Sequence, residues 1–342
     1  MFFSLLLSSF FTFVELNCEN LFDTVHDSLK SDMEFLPDGS YHWTRTRYWK
    51  KINHLSQEII ALGELYPQVD CLQVENLQGE HRASQGKPIY NKDMEWHLPD
   101  MVALCEVEND SAMIALTKRS LLRKAGYEYV MTSSPDERGI DVALMYQPMS
   151  FRLLAHHSIR VKRLPDTRPT RDILYAKGVL ISDDTLHVFV VHAPSRRGGE
   201  HASRPYRLQV ASQLCQAVDS LYALNAKAKI LIAGDFNDYS DSPALKMLEE
   251  HHLINISKEA KGRNGAKGTY RYHGEWRSLD QMLCSQVLAI LNKGCEVGDL
   301  PFLLEVDEKY GGKKPFRTYL GPRYLGGYSD HLPLVGWFQI AP

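Results

Sequence analysis

The chain lacks several features that would narrow its class at once. No two of its six cysteines (Cys18, Cys71, Cys105, Cys215, Cys284 and Cys295) form a Cys-x-x-Cys pair, which argues against a zinc knuckle. Cys18, Cys105 and Cys284 sit in or beside apolar runs and read as small buried hydrophobes. There is no excess of positive charge. The formal net charge is −3 and the sequence pI is about 6.5, so a protein that coats nucleic acid nonspecifically is excluded, though one local basic patch is not. No low-complexity linker splits the 342 residues, and no repeat architecture is present beyond a short echo of "VENL" (74–77) in "VEND" (107–110). The first fourteen residues are too short an apolar run to span a bilayer comfortably, and no other segment is long and apolar enough.

That first stretch, "MFFSLLLSSFFTFV", resembles the apolar part of an export signal, but no Lys or Arg precedes it and no small-x-small cleavage site follows. It runs straight into a strand-like segment. Residues 1–11 are therefore read as a degraded signal segment, and 12–342 as one domain. The protein is expected to be exported if the segment still acts, and cytoplasmic otherwise.

What is present is an ordinary globular composition, 44% hydrophobic and 24% charged, with apolar runs of two periods. Strand-like runs are "FTFVELN" (11–17), "DMVALCE" (100–106), "IDVALMY" (140–146), "LHVFVVHAP" (186–194), "AKILIAGDFN" (228–237), "LDQMLCS" (279–285) and "LPLVGWFQI" (332–340). Helical spacing marks 47–65, 111–126, 204–224 and 242–251. Strands mixed with amphipathic helices predict a layered α/β domain. Residues 66–98 read as an insertion within it, and 299–328, rich in Gly, Pro, Tyr and basic residues, as a long loop over the site.

Nearly every strand-like run ends in a group that binds metal or moves a proton. Asn17 closes the first, with Glu19 just beyond. Glu106 closes the second, His192 the fourth, and Asp235 and Asn237 the fifth. Asp280 lies in the sixth, and Asp330 and His331 precede the last. Each has a plain alternative as a turn former, cap or solvated strand end. Their recurrence at six strand ends is harder to explain that way, because strand ends converge at one sheet edge. A set of oxygen donors without cysteine suits Mg²⁺, or Mn²⁺ or Ca²⁺. Two histidines add acid–base capacity near neutral pH. The combination suits hydrolysis of a phosphate ester.

"LNCENLFD", "VALCEVEND", "RGIDVALMY", "VVHAPSRRGG", "LIAGDFND", "SLDQMLCS" and "YSDHLPL" cover residues 12 to 340 in one order. In these stretches the chain resembles the endonuclease/exonuclease/phosphatase superfamily. The resemblance implies a four-layer α/β/β/α sandwich of two mixed sheets flanked by helices. It places Glu106 as the principal metal ligand with Asn17, Asp330 near the metal, and Glu19 as an acid linked to it. Asp235 would orient or deprotonate the attacking water, and Asn237 would position Asp235 and the phosphate. His331, held by Asp280, would hydrogen-bond the scissile phosphate, and His192 would contact it. Glu75, in the echo, is a rival to Glu106. Arg196 and Arg197, in the loop after His192, are candidate phosphate contacts; Arg168, Arg171, Arg204 and Arg207 are weaker ones. The expected activity is Mg²⁺-dependent phosphodiester hydrolysis, in DNA or RNA first. The alternatives are a phosphatase or phosphodiesterase on inositol phosphates, lipid-derived or other small phosphate esters, and an inactive binding module. No protein partner and no membrane span are implied.

Overall fold

A computed structural model describes residues 9–63, 97–165, 167–196 and 198–340. Two six-stranded mixed sheets form its centre. The strands that build them are β1 (Ser9–Leu21), β2 (Met101–Val107), β3 (Glu128–Met131), β4 (Asp141–Tyr146), β5 (Phe151–Ile159), β6 (Ile173–Leu180), β7 (Thr185–His192), β8 (Lys229–Asp235) and β9 (Leu253–Asn255). After the small hairpin of β10 (Tyr270–Tyr272) and β11 (Glu275–Arg277) come β12 (Asp280–Ser285) and β13 (Asn292–Val297). Two more hairpins follow, β14 (Leu304–Val306) with β15 (Lys313–Pro315) and β16 (Tyr319–Leu320) with β17 (Arg323–Tyr324). Then β18 (Leu334–Ile340) closes the chain. The first sheet has the order β13-β18-β1-β2-β4-β3 and the second β5-β6-β7-β8-β12-β9.

Each sheet is antiparallel except for one pair at its centre. β1 runs parallel to β2, and β7 parallel to β8. A parallel pair cannot be joined by a tight turn, so each needs a crossover. Helix α1 (Arg45–Leu62) lies in the first and α3 (Glu200–Leu224) in the second. Thr44 caps α1 by accepting from the Arg47 amide, and Tyr48, Ile52, Leu55, Ile59 and Leu62 give it one buried stripe. The short helices are α2 (Asp110–Ile114), α4 (Pro243–Glu250), capped by Ser242, and α5 (Gln286–Ala289).

Three apolar clusters mark the three interfaces of a four-layer sandwich. Phe11, Phe13, Met101, Ala103, Val188, Val190, Leu231, Ala233 and Met282 meet between the sheets. Val14, Leu16, Val102 and Leu104 face α1, while Phe189, Ile230, Ile232 and Leu283 face α3 and α4. The period-2 alternation of strands therefore decides which polar residues enter the space between the sheets. Continuing the parity of Phe13 by four residues, and of Val190, Ala233 and Met282 by two, brings Asn17, His192, Asp235 and Asp280 to one end of it.

Several boundaries differ from the sequence reading. The segment 111–126 is not one helix but α2 followed by a π turn (Ala115–Arg119) and a 3-10 turn (Leu121–Lys124). Ser120 breaks it: its backbone is extended, and its hydroxyl bonds the Leu116 carbonyl and caps the Leu122 amide. α3 begins four residues before 204, at Glu200, and runs through Pro205. The loop 299–328 is folded into a 3-10 turn and two hairpins. Residues 9–11 pair with the last strand, Ser9 opposite Ile340 and Phe11 opposite Phe338. The insertion 66–98 lies outside the described residues but for its last two. The five described cysteines are free thiols. Among the described residues no helix is long and apolar enough to cross a membrane.

Gly234 shows why the strand that leads to Asp235 carries a glycine. Its φ is 147°, and a Cβ there would stand 1.9 Å from the Val191 carbonyl oxygen of β7. Gly234→Ala should lower stability by about 3 kcal/mol through overlap and backbone strain. Denaturant unfolding checks this, and a change within about 0.5 kcal/mol would show that the two strands can separate at no cost.

Candidate active site

The site is built from rows of paired strands. In the second sheet His192 is opposite Asp235, and Asp235 opposite Asp280, so three chemically active residues share one register row. In the first sheet Asn17 is opposite Cys105. Just past that pair both strands bulge, between Asn17 and Leu21 and between Cys105 and Val107. Glu106 occupies the bulge with φ 64°, and Glu19 and Asn20 follow with φ 46° and 61°. Strand parity alone would send Glu106 toward the helix, with Val102 and Leu104. The bulge re-aims it, so that Glu106 Oε1 comes to 3.8 Å from His192 Nε2. Its other oxygen accepts the Asn20 amide at 2.8 Å.

Asp235 is the hub. Its Oδ1 accepts the Asn237 amide at 2.7 Å, and its Oδ2 accepts the Asn237 and Asn17 carboxamides, each at 3.1 Å. His192 Nε2 lies 3.6 Å from the same Oδ2. Asn237 takes φ 48°, which asparagine tolerates, and its amide also donates to the Ala193 carbonyl at 3.1 Å. Asp280 holds His331 through Nδ1 at 2.8 Å, and Thr269 donates to the same carboxylate. Asp235, Asp280 and His331 each offer a ligating atom within 4.8 Å of the others, and all three are buried. Glu106, Asp235 and His331, far apart in sequence, therefore meet in one place.

Glu19 and Asp330 lie beside this centre in an ion network. Glu19 accepts the Thr318 and Tyr319 amides at 2.5 and 3.1 Å. Arg317 reaches Glu19 at 3.5 Å and Asp330 at 2.9 Å. Arg196 stands on the rim, bound to Asp238 at 3.0 Å and to Glu200, with its guanidinium over Tyr239. Arg204 pairs with Glu200, and Arg207 is buried on Asp238. Arg168 is exposed and pairs with Glu137, whereas Arg171 is buried, bonding Asp136 and the Ala193 carbonyl. Arg197 and Glu75 lie outside the described residues.

Sequence reasoning missed four contributors. Glu15, two residues before Asn17 on the same face, is fully buried with neither oxygen bonded. Ser329 donates to the Asn17 carbonyl at 2.7 Å and accepts the His331 amide at 3.1 Å, which ties β1 to the loop before β18. Its signal was the serine in "YSDHLPL". Arg317 was visible only as one of many basic residues in 299–328. Thr269 had no signal.

Burial and crowding of acids set the electrostatics. Burial first, then the neighbouring Asp280, raises the Asp235 carboxyl to about 7, against the pull of His331 and the Asn237 amide. Glu19 is raised to about 7 by burial and Asp330, and Glu15 is raised well above its ordinary value by burial, Asp280 and Asp235. The two histidines move in opposite directions. Burial, then Arg171 and Arg138, holds His192 neutral. Burial disfavours charge on His331 too, but Asp280, by charge and hydrogen bond, together with Asp235 and Asp330, outweighs it and keeps the imidazole protonated. Such a split assigns distinct proton roles.

A model of the endonuclease/exonuclease/phosphatase family matches residues 12–79 and 88–339. The chain belongs to the endonuclease/exonuclease/phosphatase family. It is thus a phosphoesterase by family, and members generally use a divalent metal. Solved structures give the same fold at low identity. A Bacteroides thetaiotaomicron member of the family aligns with TM-score 0.54 and 12% identity, over 96% of this chain and 98% of that one. The mannosyl-6-phosphatase of the same organism gives TM-score 0.58 and 13% identity, over 95% and 98%. Truncated TDP2 of Caenorhabditis elegans gives 0.52 and 14%, over 96% and 98%. No curated protein matches. The residues fit a divalent cation: several carboxylates crowd a buried centre where protonated His331 is the nearest positive group, and the donors are hard oxygens.

The raised Asp235 carboxyl has a consequence for stability. Below the ordinary value of 3.8 the group is neutral folded and unfolded, so nothing is lost. Above it the unfolded chain ionises while the folded one resists up to about 7, and stability falls across that window. In EDTA, the melting temperature of the wild-type chain should fall more steeply from about pH 4.5 to 7.5 than that of Asp235→Asn. Parallel curves for the two proteins would contradict the assignment.

Proposed function

We propose that the chain is a Mg²⁺-dependent hydrolase of phosphodiester bonds, with nucleic acid as the leading substrate. The observation that supports it most is the row His192–Asp235–Asp280 facing Glu106 and His331 across the gap between the sheets. Glu106 and Asn17 would hold the cation, with Asp330 and Glu19 beside them tuning its surroundings through Arg317. When bound, the cation supplies the positive charge that returns Asp235 to its carboxylate form and stabilises a leaving oxygen.

Asp235, with its carboxylate fixed by three donors, orients a water and takes its proton. Asn237 fixes Asp235 through its backbone amide and one carboxamide N–H, the other being held by the Ala193 carbonyl, so it would position the phosphate indirectly, through Asp235. Protonated His331 donates from Nε2 to a phosphate oxygen as charge develops there, while Asp280 on Nδ1 fixes the ring and its charge. Neutral His192 contacts a second phosphate oxygen. Arg196 would meet the substrate beside Asp238. A hydrogen-bonded base, a fixed acid and a dry floor are arranged for in-line displacement at phosphorus.

A second reading is a phosphatase or phosphodiesterase acting on a small phosphate ester. The chain's net charge of −3 favours it, and a structural neighbour is named a mannosyl-6-phosphatase.

With Mg²⁺, bis-p-nitrophenyl phosphate and plasmid DNA should be cleaved, and EDTA should stop both reactions. His331→Ala and Asp235→Asn should each lower kcat about 10²- to 10⁴-fold with the fold intact by circular dichroism. Full turnover in either variant, or in chelator, would refute the mechanism. Turnover of inositol phosphates, sphingomyelin or sugar phosphates in place of plasmid would select the second reading.

A further inference from the structure

Beside the centre just described lies a cleft of about 380 Å³. Its walls are the loop between β3 and β4, residues 161–164 and 167–171, the turn after His192, and the face of α3 at Tyr206 and Gln209. In a chain of net negative charge, five cations line it: Arg138, Lys162, Arg163, Arg168 and Arg171. Among the described residues two carboxylates, Asp136 and Glu137, line it with them, and they are held by Arg171 and Arg168.

Arg171 forms the floor. It is 7% exposed, and its Nε has no hydrogen-bond partner. The buried hydroxyl of Thr170, next to it, is also unpartnered. Two donors in this position call for an acceptor that the protein does not supply. At the walls, the Arg138 and Lys162 side chains are exposed, and neither makes a hydrogen bond or ion pair among the described residues. Arg171 also fixes how the cleft stands to the reaction centre. Its Nη2 donates at 2.9 Å to the Ala193 carbonyl, the same oxygen that accepts the Asn237 amide. The turn His192-Ala193-Pro194 is thus shared, with His192 facing Asp235 and Glu106 and Pro194 lining the cleft.

We infer that this cleft binds a second phosphate group of the substrate, next to the one that is hydrolysed. The inference rests on the phosphoesterase reading for its place in catalysis, and it narrows that reading to substrates with two neighbouring phosphates. Guanidinium forks and an uncommitted ammonium suit a phosphate dianion or diester, and the polar, strongly cationic lining disfavours an apolar leaving group. The second phosphate comes either from the next link of a nucleic-acid strand or from a small bisphosphate.

The test separates the cleft from the chemistry. On an Asp235→Asn background with Mg²⁺, where turnover is slowed about 10²- to 10⁴-fold, adenosine 3′,5′-bisphosphate and adenosine 5′-monophosphate are titrated calorimetrically. The bisphosphate should bind about tenfold tighter or more, since each charged hydrogen bond adds on that scale. Adding Arg138→Ala with Lys162→Ala, both exposed positions, should bring the ratio of the two affinities close to one. Equal affinities before that change, or an unaltered ratio after it, overturn the inference whether or not the protein is a phosphoesterase. In the active protein, the same double substitution should reduce kcat/KM about tenfold for a doubly phosphorylated substrate relative to bis-p-nitrophenyl phosphate. A 5′-phosphorylated thymidine dinucleotide and fructose 1,6-bisphosphate serve as the two sources. A cleft-dependent preference for either one supports the inference and identifies the source; none for either overturns it. Absence of bis-p-nitrophenyl phosphate turnover would instead count against the phosphoesterase reading alone.

Discussion

One register row holds the site together: His192, Asp235 and Asp280 side by side on three adjacent strands. Backbone hydrogen bonds fix the row, and a slip by one residue would turn all three side chains into the helix layer. The first sheet repeats the plan. It too has one parallel pair at its centre, and its functional residues stand at the carboxyl ends of that pair. Face-to-face packing of the sheets then brings the two sets together across a gap floored by Phe13, Val190 and Ala233. Geometry that looks like a collection of loops is held by the backbone ladders at the centres of the two sheets.

The cost of this arrangement is electrostatic. Asp235, Glu15, Glu19 and Glu106 approach one another where water is scarce, and burial pushes the first three upward. The molecule answers with donors aimed at the acids: Asn17 and Asn237 on Asp235, two loop amides and Arg317 on Glu19, and Thr269 and His331 on Asp280. What those donors leave uncompensated is a shortage of positive charge that a divalent ion would fill. The two oxygens of Glu15 are left without a hydrogen-bond partner.

Much of the fold was legible because the central strands are continuous apolar runs ending in polar residues, as in "KILIAGD" and "TLHVFVVH". Strands at or near the edges were not. β5 carries His156 and His157 on an exposed surface, and β6 alternates too weakly to stand out from a loop. Helix starts were misplaced where local chemistry misled: Pro205 reads as a first-turn proline, yet the helix begins earlier. At the site, residue types at strand ends were enough to name Asp235, Asn237, Asp280 and His331. Glu106 was named from the end of its strand, but the bulge that aims it is a property of the pairing and has no sequence period. Glu15, Thr269 and Arg317 act through burial and partners far along the chain, which a linear pattern does not carry.

The central claim is that two strand-end sets form one oxygen-lined cation site. Diffraction from crystals grown with Mn²⁺, collected at the manganese edge, tests it directly. The account predicts one dominant anomalous peak in contact with the Glu106 carboxylate, in the gap shared with Asp235. Manganese bound only elsewhere, or no peak in that gap at millimolar metal, would contradict it.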